Sequence, residues 1–202
     1  MSAAVMWLAP LEPRTIFALA LNYADHAQEL AAKSSADQGS FLQAQRSEPV
    51  VFLKGANSVV GHRGLTRRPA DGEFMHYECE LAVVIGRRAS RIAVDQAAAH
   101  ILGYSCANDL TALEVLQRDP AFPQWTRAKG FDGFGVLGPV IETEFDPAAA
   151  TVRTTVGGRE RQNYPLSDMV FSPHELVSRL SQDMTLEPGD VILCGTSLGV
   201  LP

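Results

Sequence analysis

From Leu81 to Ile85 the chain runs Leu-Ala-Val-Val-Ile without a polar residue and stops at Gly86. Five apolar positions ended by a glycine predict a buried strand. Just ahead of it the pattern changes to Tyr77-Glu78-Cys79-Glu80. On a strand Glu78 and Glu80 then share one face, about 6.6 Å apart along the chain, while Tyr77, Cys79 and Leu81 point the other way. Two ionised carboxylates side by side at the mouth of an apolar strand repel each other. A divalent cation is one thing that would hold them there; a solvated strand face is the other reading, and the commoner one for Glu-x-Glu alone.

Apolar segments bounded by turn or polar residues predict further strands at Thr15–Leu21, Val50–Lys54, Leu102–Ala107, Pro139–Glu144, Thr151–Gly157 and Val191–Cys194. Gly157-Gly158 is a hairpin turn leading to Arg159–Gln162. Helical signals are short. Asn22 is placed to cap YADHAQELAAK, Thr111 and Glu114 have capping-box spacing, and Ser172-Pro173-His174-Glu175 combines a capping box with proline at the first helical position. Val94–Ile101 reads as one more short helix, and Lys33–Glu48 as a polar loop without periodicity. Strands outnumber helices, with no repeats and no linker that would separate domains. The expected architecture is one domain, mainly β (α+β), with short helices at its periphery.

Composition removes several functions. With 202 residues, 46% hydrophobic and 20% charged, the chain can bury one substantial core. A net charge of −6, with cations paired at most as Arg67-Arg68 and Arg87-Arg88, argues against a nucleic-acid surface. No apolar run approaches the roughly 20 residues needed to cross a bilayer. Met1–Pro13 lacks the charged and apolar regions of a signal peptide. Cys79, Cys106 and Cys194 sit in strand-like apolar contexts without C-x-x-C spacing, which suggests buried reduced thiols and a cytoplasmic protein.

Chemistry then concentrates in a few residues. Glu78, Glu80 and Asp109 lie at strand ends, and three carboxylates make a hard oxygen site suited to Mg²⁺ or Mn²⁺, with Ca²⁺ a further candidate. His26 and Glu29 fall at i and i+3 of one helix, where a carboxylate can orient an imidazole as a general base. Lys129 stands alone between Trp125 and Phe131, able to balance a substrate carboxylate or a developing enolate, or simply a surface lysine. Gly195-Thr196-Ser197-Leu198-Gly199 follows a strand and could offer N–H groups and a hydroxyl to an anion, without Walker-loop spacing. His76, two residues ahead of Glu78, is placed to support the site from behind its ligands.

Taken together, the strings LNYADHAQEL, PVVFLKGANSVVG, MHYECELAVVIG, ILGYSCAND, KGFDGFGVLGP and LEPGDVILCGTSLGV resemble the fumarylacetoacetate hydrolase superfamily, in its order and over nearly the whole chain from Thr15. The flavour is that of its homoprotocatechuate-pathway decarboxylase/isomerase and acylpyruvase branch. The resemblance implies a mixed β-roll/β-sandwich of the C-terminal domain type, a homodimer and a Mg²⁺ or Mn²⁺ site held by Glu78, Glu80 and Asp109. It implies a His26–Glu29 catalytic dyad, a catalytic Lys129, and substrate contacts from Thr196 and Tyr23. It also implies a 2-oxo acid substrate undergoing decarboxylation, enol–keto isomerisation or hydrolytic C–C cleavage. Acylpyruvate hydrolase, oxaloacetate decarboxylase and a 2-oxo acid binding protein without turnover are the alternatives. A purely structural β domain would need no metal.

The domain reading is an extension over residues 1–14 and one catalytic domain over 15–202, which ends before the closing strands of relatives. Two departures from the family pattern bear on function. Many relatives carry arginine where this chain has Leu113, and proline where it has Ser197.

Overall fold

The computed structural model describes residues 8–25, 47–70, 72, 74–119 and 121–200. Its main element is a curled seven-stranded sheet in the order β2-β1-β11-β5-β6-β8-β3. These strands are β1 (Ile16–Ala20), β2 (Val50–Lys54), β3 (Val59–Val60), β5 (Cys79–Ile85), β6 (Ile101–Asp109), β8 (Gly135–Leu137) and β11 (Val191–Leu193). Two small antiparallel pairs complete the β structure: β4 (Met75–His76) with β7 (Thr111–Ala112), and β9 (Thr151–Val156) with β10 (Arg159–Pro165). The expectation of a mainly β fold with short peripheral helices holds. Among the described residues the α-helices are α1 (Leu113–Gln117), α2 (Trp125–Lys129) and α3 (Pro173–Asp183).

The apolar run that predicts β5 is buried on both faces, which is why it lacks alternation. Leu81, Val83 and Ile85 join one core cluster with Phe17, Leu19, Ile192 and the apolar stripe of α3. Ala82 and Val84 face a second cluster with Ile16, Ala18, Phe52 and Leu193. Helix α3 forms as its sequence predicts: Ser172 and Glu175 close a reciprocal capping box, Pro173 opens the first turn, and Leu176, Val177 and Leu180 make the buried stripe. Each such leucine contributes about 1.5–3 kcal/mol by leaving water. Ser181 accepts from Ile92 N–H at 3.1 Å and Ser178 donates to Ile92 C=O at 2.8 Å, which fixes the helix against the segment leading into the 3₁₀ helix Val94–His100.

Four expectations need correction. Pro139–Glu144 is not a strand: Pro139 has no N–H to donate, and the pairing shrinks to one bridge between Glu142 and Tyr104. Thr111 and Glu114 do not form a capping box. Each side chain has a distant partner instead, Thr111 with Glu78 and Glu114 with the Phe74 N–H, and α1 begins without a side-chain cap. Asn22 spends its side chain on Phe171 and Cys194, donating to both carbonyls and accepting from the Phe171 N–H. Of the three thiols Cys194 is buried and Cys79 half-buried, but Cys106 is exposed.

Candidate active site

The antiparallel β5–β6 ladder brings the carboxylates together. Cys79 pairs with Asn108 and Glu80 with Ala107, so the start of one strand meets the end of the other. One step further the Asp109 N–H donates to Glu78 C=O at 2.8 Å, and the Asn108 side chain accepts from the Glu78 N–H at 2.9 Å. Glu78, Glu80 and Asp109 thereby place one carboxylate oxygen each within 4.8 Å of one another. A separation of about thirty residues in sequence becomes adjacency because strand pairing, not helical spacing, sets the geometry.

Two ammonium groups face this cluster. Lys129, the last residue of α2, reaches Glu78 Oε2 at 2.7 Å and Asp109 Oδ2 at 2.5 Å. Lys54, the last residue of β2, reaches Asp109 Oδ1 at 2.6 Å and donates to the Lys129 carbonyl as well. Burial works against both ammonium groups, with different outcomes. Lys129 is held above the ordinary lysine pKa because Asp109, Glu78 and Glu80 all surround it. Lys54 falls below it, since burial outweighs Asp109 and Lys129 repels. The sequence offered Lys54 only as the polar end of the VVFLK strand, and no role could be read from that.

Glu80 is the most exacting position. Its side chain is buried, and burial, then the charges of Asp109 and Glu78, push its carboxyl pKa well up. Lys129 and a hydrogen bond from the Gly195 N–H pull in the opposite direction. That bond, 2.6 Å to Oε2, explains the loop after β11. Gly195 has φ +87°, and a Cβ there would sit 3.0 Å from Asn22 Cβ. The loop does present an N–H to an anion, as its sequence suggests, but that anion is Glu80. The other oxygen, Oε1, is buried with no hydrogen-bond partner among the described residues.

The residues therefore fit a divalent cation. The donors are hard oxygens from three residues, and among the described residues one Glu80 oxygen is buried and unsatisfied and the three carboxylates outnumber the two ammonium groups around them. Glu78 is steadied from behind, because Thr111 Oγ1 donates to its Oε1 at 2.6 Å. Thr111 went unnoticed in the sequence because its spacing to Glu114 suggested a cap.

A pocket opens at the Glu78 edge of the cluster, walled by Leu19, Leu21, Leu113, Leu116 and Trp125, with Glu78, His76, Thr111, Lys129 and Thr196 as its polar residues. His76 is buried on β4, in register with Thr111 on β7. Thr196 reaches the pocket, but its hydroxyl donates to Cys79 C=O at 3.0 Å and accepts from Gln162 Nε2 at 2.9 Å. Gln162 also accepts from Thr154 Oγ1 and the Cys79 N–H, tying the β9–β10 hairpin to β5 and the loop after β11. Nothing in the sequence around Gln162 signals this role. Tyr23 packs edge-on against Tyr164, ring centroids 4.9 Å apart, only 1% exposed. Burial, then Tyr164, pushes its phenol pKa up. His26 and Glu29 lie outside the described residues.

Residues 15–201 match the family described as fumarylacetoacetate (FAA) hydrolase C-terminal. The chain belongs to this family. A 5-carboxymethyl-2-hydroxymuconate delta-isomerase from Mycobacterium smegmatis superposes with a TM-score of 0.83 at 39% identity, over 96% of this chain and 70% of that one. A fumarylacetoacetate hydrolase from Exiguobacterium antarcticum gives 0.81 at 37%, over 98% and 68%. Among curated relatives, a 4-hydroxyphenylacetate degradation bifunctional isomerase/decarboxylase of Salmonella dublin is 40% identical over 92% of this chain, which spans 41% of that longer protein. The fumarylacetoacetate hydrolase fold is thus shared with isomerases and decarboxylases of aromatic-compound breakdown. No helix among the described residues is long and apolar enough to cross a membrane.

Proposed function

We propose that this chain is a divalent-metal-dependent enzyme that acts on a 2-oxo acid, cleaving a C–C bond near the oxo group or moving a proton beside it. The observation that carries this reading is the convergence of Glu78, Glu80 and Asp109, with one buried Glu80 oxygen unsatisfied and Lys129 alongside. A bound Mg²⁺ or Mn²⁺ supplies Lewis acidity toward the carboxylate and carbonyl oxygens of a chelating 2-oxo acid.

The residues have separate tasks. Glu78, Glu80 and Asp109 hold the cation, Thr111 fixes Glu78, and the Gly195 N–H fixes Glu80. Lys129 keeps a positive charge in the pocket against negative charge growing on the substrate's oxo oxygen. The buried Lys54 pairs with Asp109 and holds the end of α2 through the Lys129 carbonyl. By family likeness, His26 and Glu29 carry the proton. The names of the relatives, isomerases and decarboxylases, support the reaction class.

The test is a panel of oxaloacetate, acylpyruvates and unsaturated 2-oxo dicarboxylates with Mg²⁺ or Mn²⁺, products identified by NMR. Turnover of at least one compound, abolished by EDTA and by Glu80→Ala, is expected. No EDTA-sensitive turnover across the panel, or an unchanged rate in Glu80→Ala, overturns the proposal.

A further inference from the structure

The pocket at Glu78 is lined by two chemically different sets of residues. At its floor the lining groups are polar: Glu78 and Lys129 pair at 2.7 Å, Thr111 donates to Glu78, and His76 sits in register with Thr111. Its flank is apolar. Leu113 and Leu116 lie at i and i+3 on α1 and so share one helical face. Trp125 lies at i−4 from Lys129 on α2, sharing a face with the ammonium group. Its ring is 6.0 Å from Lys129 Nζ and stacks on Phe52 at 5.4 Å between centroids, which keeps the indole beside the polar floor.

All three flanking side chains are only half-buried, so they keep apolar surface facing the pocket. Among the described lining residues Lys129 is the one lysine or arginine, and it is engaged by Glu78 and Asp109. A charged group carried onto the flank would lose water and find, among the described lining residues, only a lysine already paired with Glu78 and Asp109. An alkyl group there would leave water against leucine and indole.

We propose that Leu113, Leu116 and Trp125 form a specificity wall selecting 2-oxo acids whose end distal to the oxo group is uncharged and apolar. This rests on the 2-oxo acid reading of the floor and adds the substrate class. Leu113 is the key position, because it opens α1 where the helix meets the polar floor through Thr111 and Ala112.

The experiment uses the full chain loaded with Mg²⁺ and three non-reacting probes titrated by calorimetry. These are oxalate, N-butyloxamate, and the counterpart of N-butyloxamate that carries a carboxylate in place of its terminal methyl. The probes share a chelating head and differ in the tail. Oxalate should bind, and the butyl compound should bind roughly tenfold or more tightly than its carboxylate counterpart. Leu113→Arg should narrow or reverse that ratio, and the wild-type comparison decides the matter even if the variant does not fold. Binding of oxalate with equal or tighter binding of the carboxylate tail overturns the wall and leaves the head-group reading standing. Failure of oxalate to bind overturns the head-group reading, and the wall falls with it.

Discussion

The Lys54 ammonium and the Asp109 carboxylate meet at 2.6 Å with neither side chain exposed to solvent. Such a pair adds little net stability relative to an apolar replacement of both partners, but losing one partner strands the other. Lys54→Met leaves Asp109 Oδ1 without its cation, while Lys129 still holds Oδ2. The expected cost is therefore at the low end for broken buried pairs, about 3 kcal/mol. Urea unfolding should show this as a lower midpoint with an unchanged slope. A loss below about 1 kcal/mol would mean that the Asp109–Lys129 contact alone suffices.

Glu80 carries the opposite burden, a carboxylate in excess of its cations. Replacing it with glutamine removes the charge that burial, Asp109 and Glu78 oppose. In EDTA, Glu80→Gln should be as stable as the wild type or more so. With Mg²⁺ the ordering should invert: on the proposed metal site Glu80 would supply a ligand oxygen, so the wild type should gain melting temperature and the variant should not. Equal Mg²⁺ shifts in both proteins would remove Glu80 from the ligand set.

Most of this fold was legible because hydrophobic pattern and turn chemistry agree. Buried β5, the Gly157-Gly158 hairpin and the capping box of α3 follow from local rules, and the structure contains them. Local rules failed where a polar side chain is used at long range. Thr111, Glu114 and Asn22 look like caps, yet their partners are Glu78, Phe74 and the pair Phe171 and Cys194. Spacing statistics favour the nearest backbone group, and only tertiary pairing shows the alternative. Glu78, Glu80 and Asp109 were legible singly as acidic positions at strand ends and as a set only through the family resemblance; the β5–β6 pairing is what brings them together. Lys54 and Gln162 were not legible, since a buried lysine or glutamine resembles a surface one until its partners are known.

Thr111 offers a measurement that separates support of the cluster from folding. Its hydroxyl donates to Glu78 Oε1 at 2.6 Å, and Thr111→Val keeps the shape while deleting that donor. A hydrogen bond to a charged acceptor is worth about 1.5–3 kcal/mol. On the proposed ion site some of this loss should fall on metal affinity, because groups behind metal ligands typically set about 10–100-fold in it. Calorimetric titration of Mg²⁺ into Thr111→Val should show weakening of that order, while the far-UV spectrum stays that of the wild type. Unchanged affinity would confine Thr111 to packing of β7.

The capping box of α3 predicts a pH effect far from the pocket. Ser172 N–H and Oγ both donate to Glu175 Oε2, at 2.8 and 2.7 Å. These hydrogen bonds, backbone first, lower the carboxyl pKa below its ordinary 4.5; modest burial opposes them and Arg179 assists. With the folded value depressed, the unfolded chain binds more protons in this window, so stability rises with pH across it. The contribution is complete above the unfolded value and is lost as pH falls through the folded one. Glu175→Gln keeps an acceptor for Ser172 but not the charge at the helix N-terminus. It should be less stable than the wild type by about 0.5 kcal/mol at neutral pH and low salt, with the gap closing as pH drops well below 4.5. A gap that stayed constant through the acid titration would assign the cap to hydrogen-bond geometry alone.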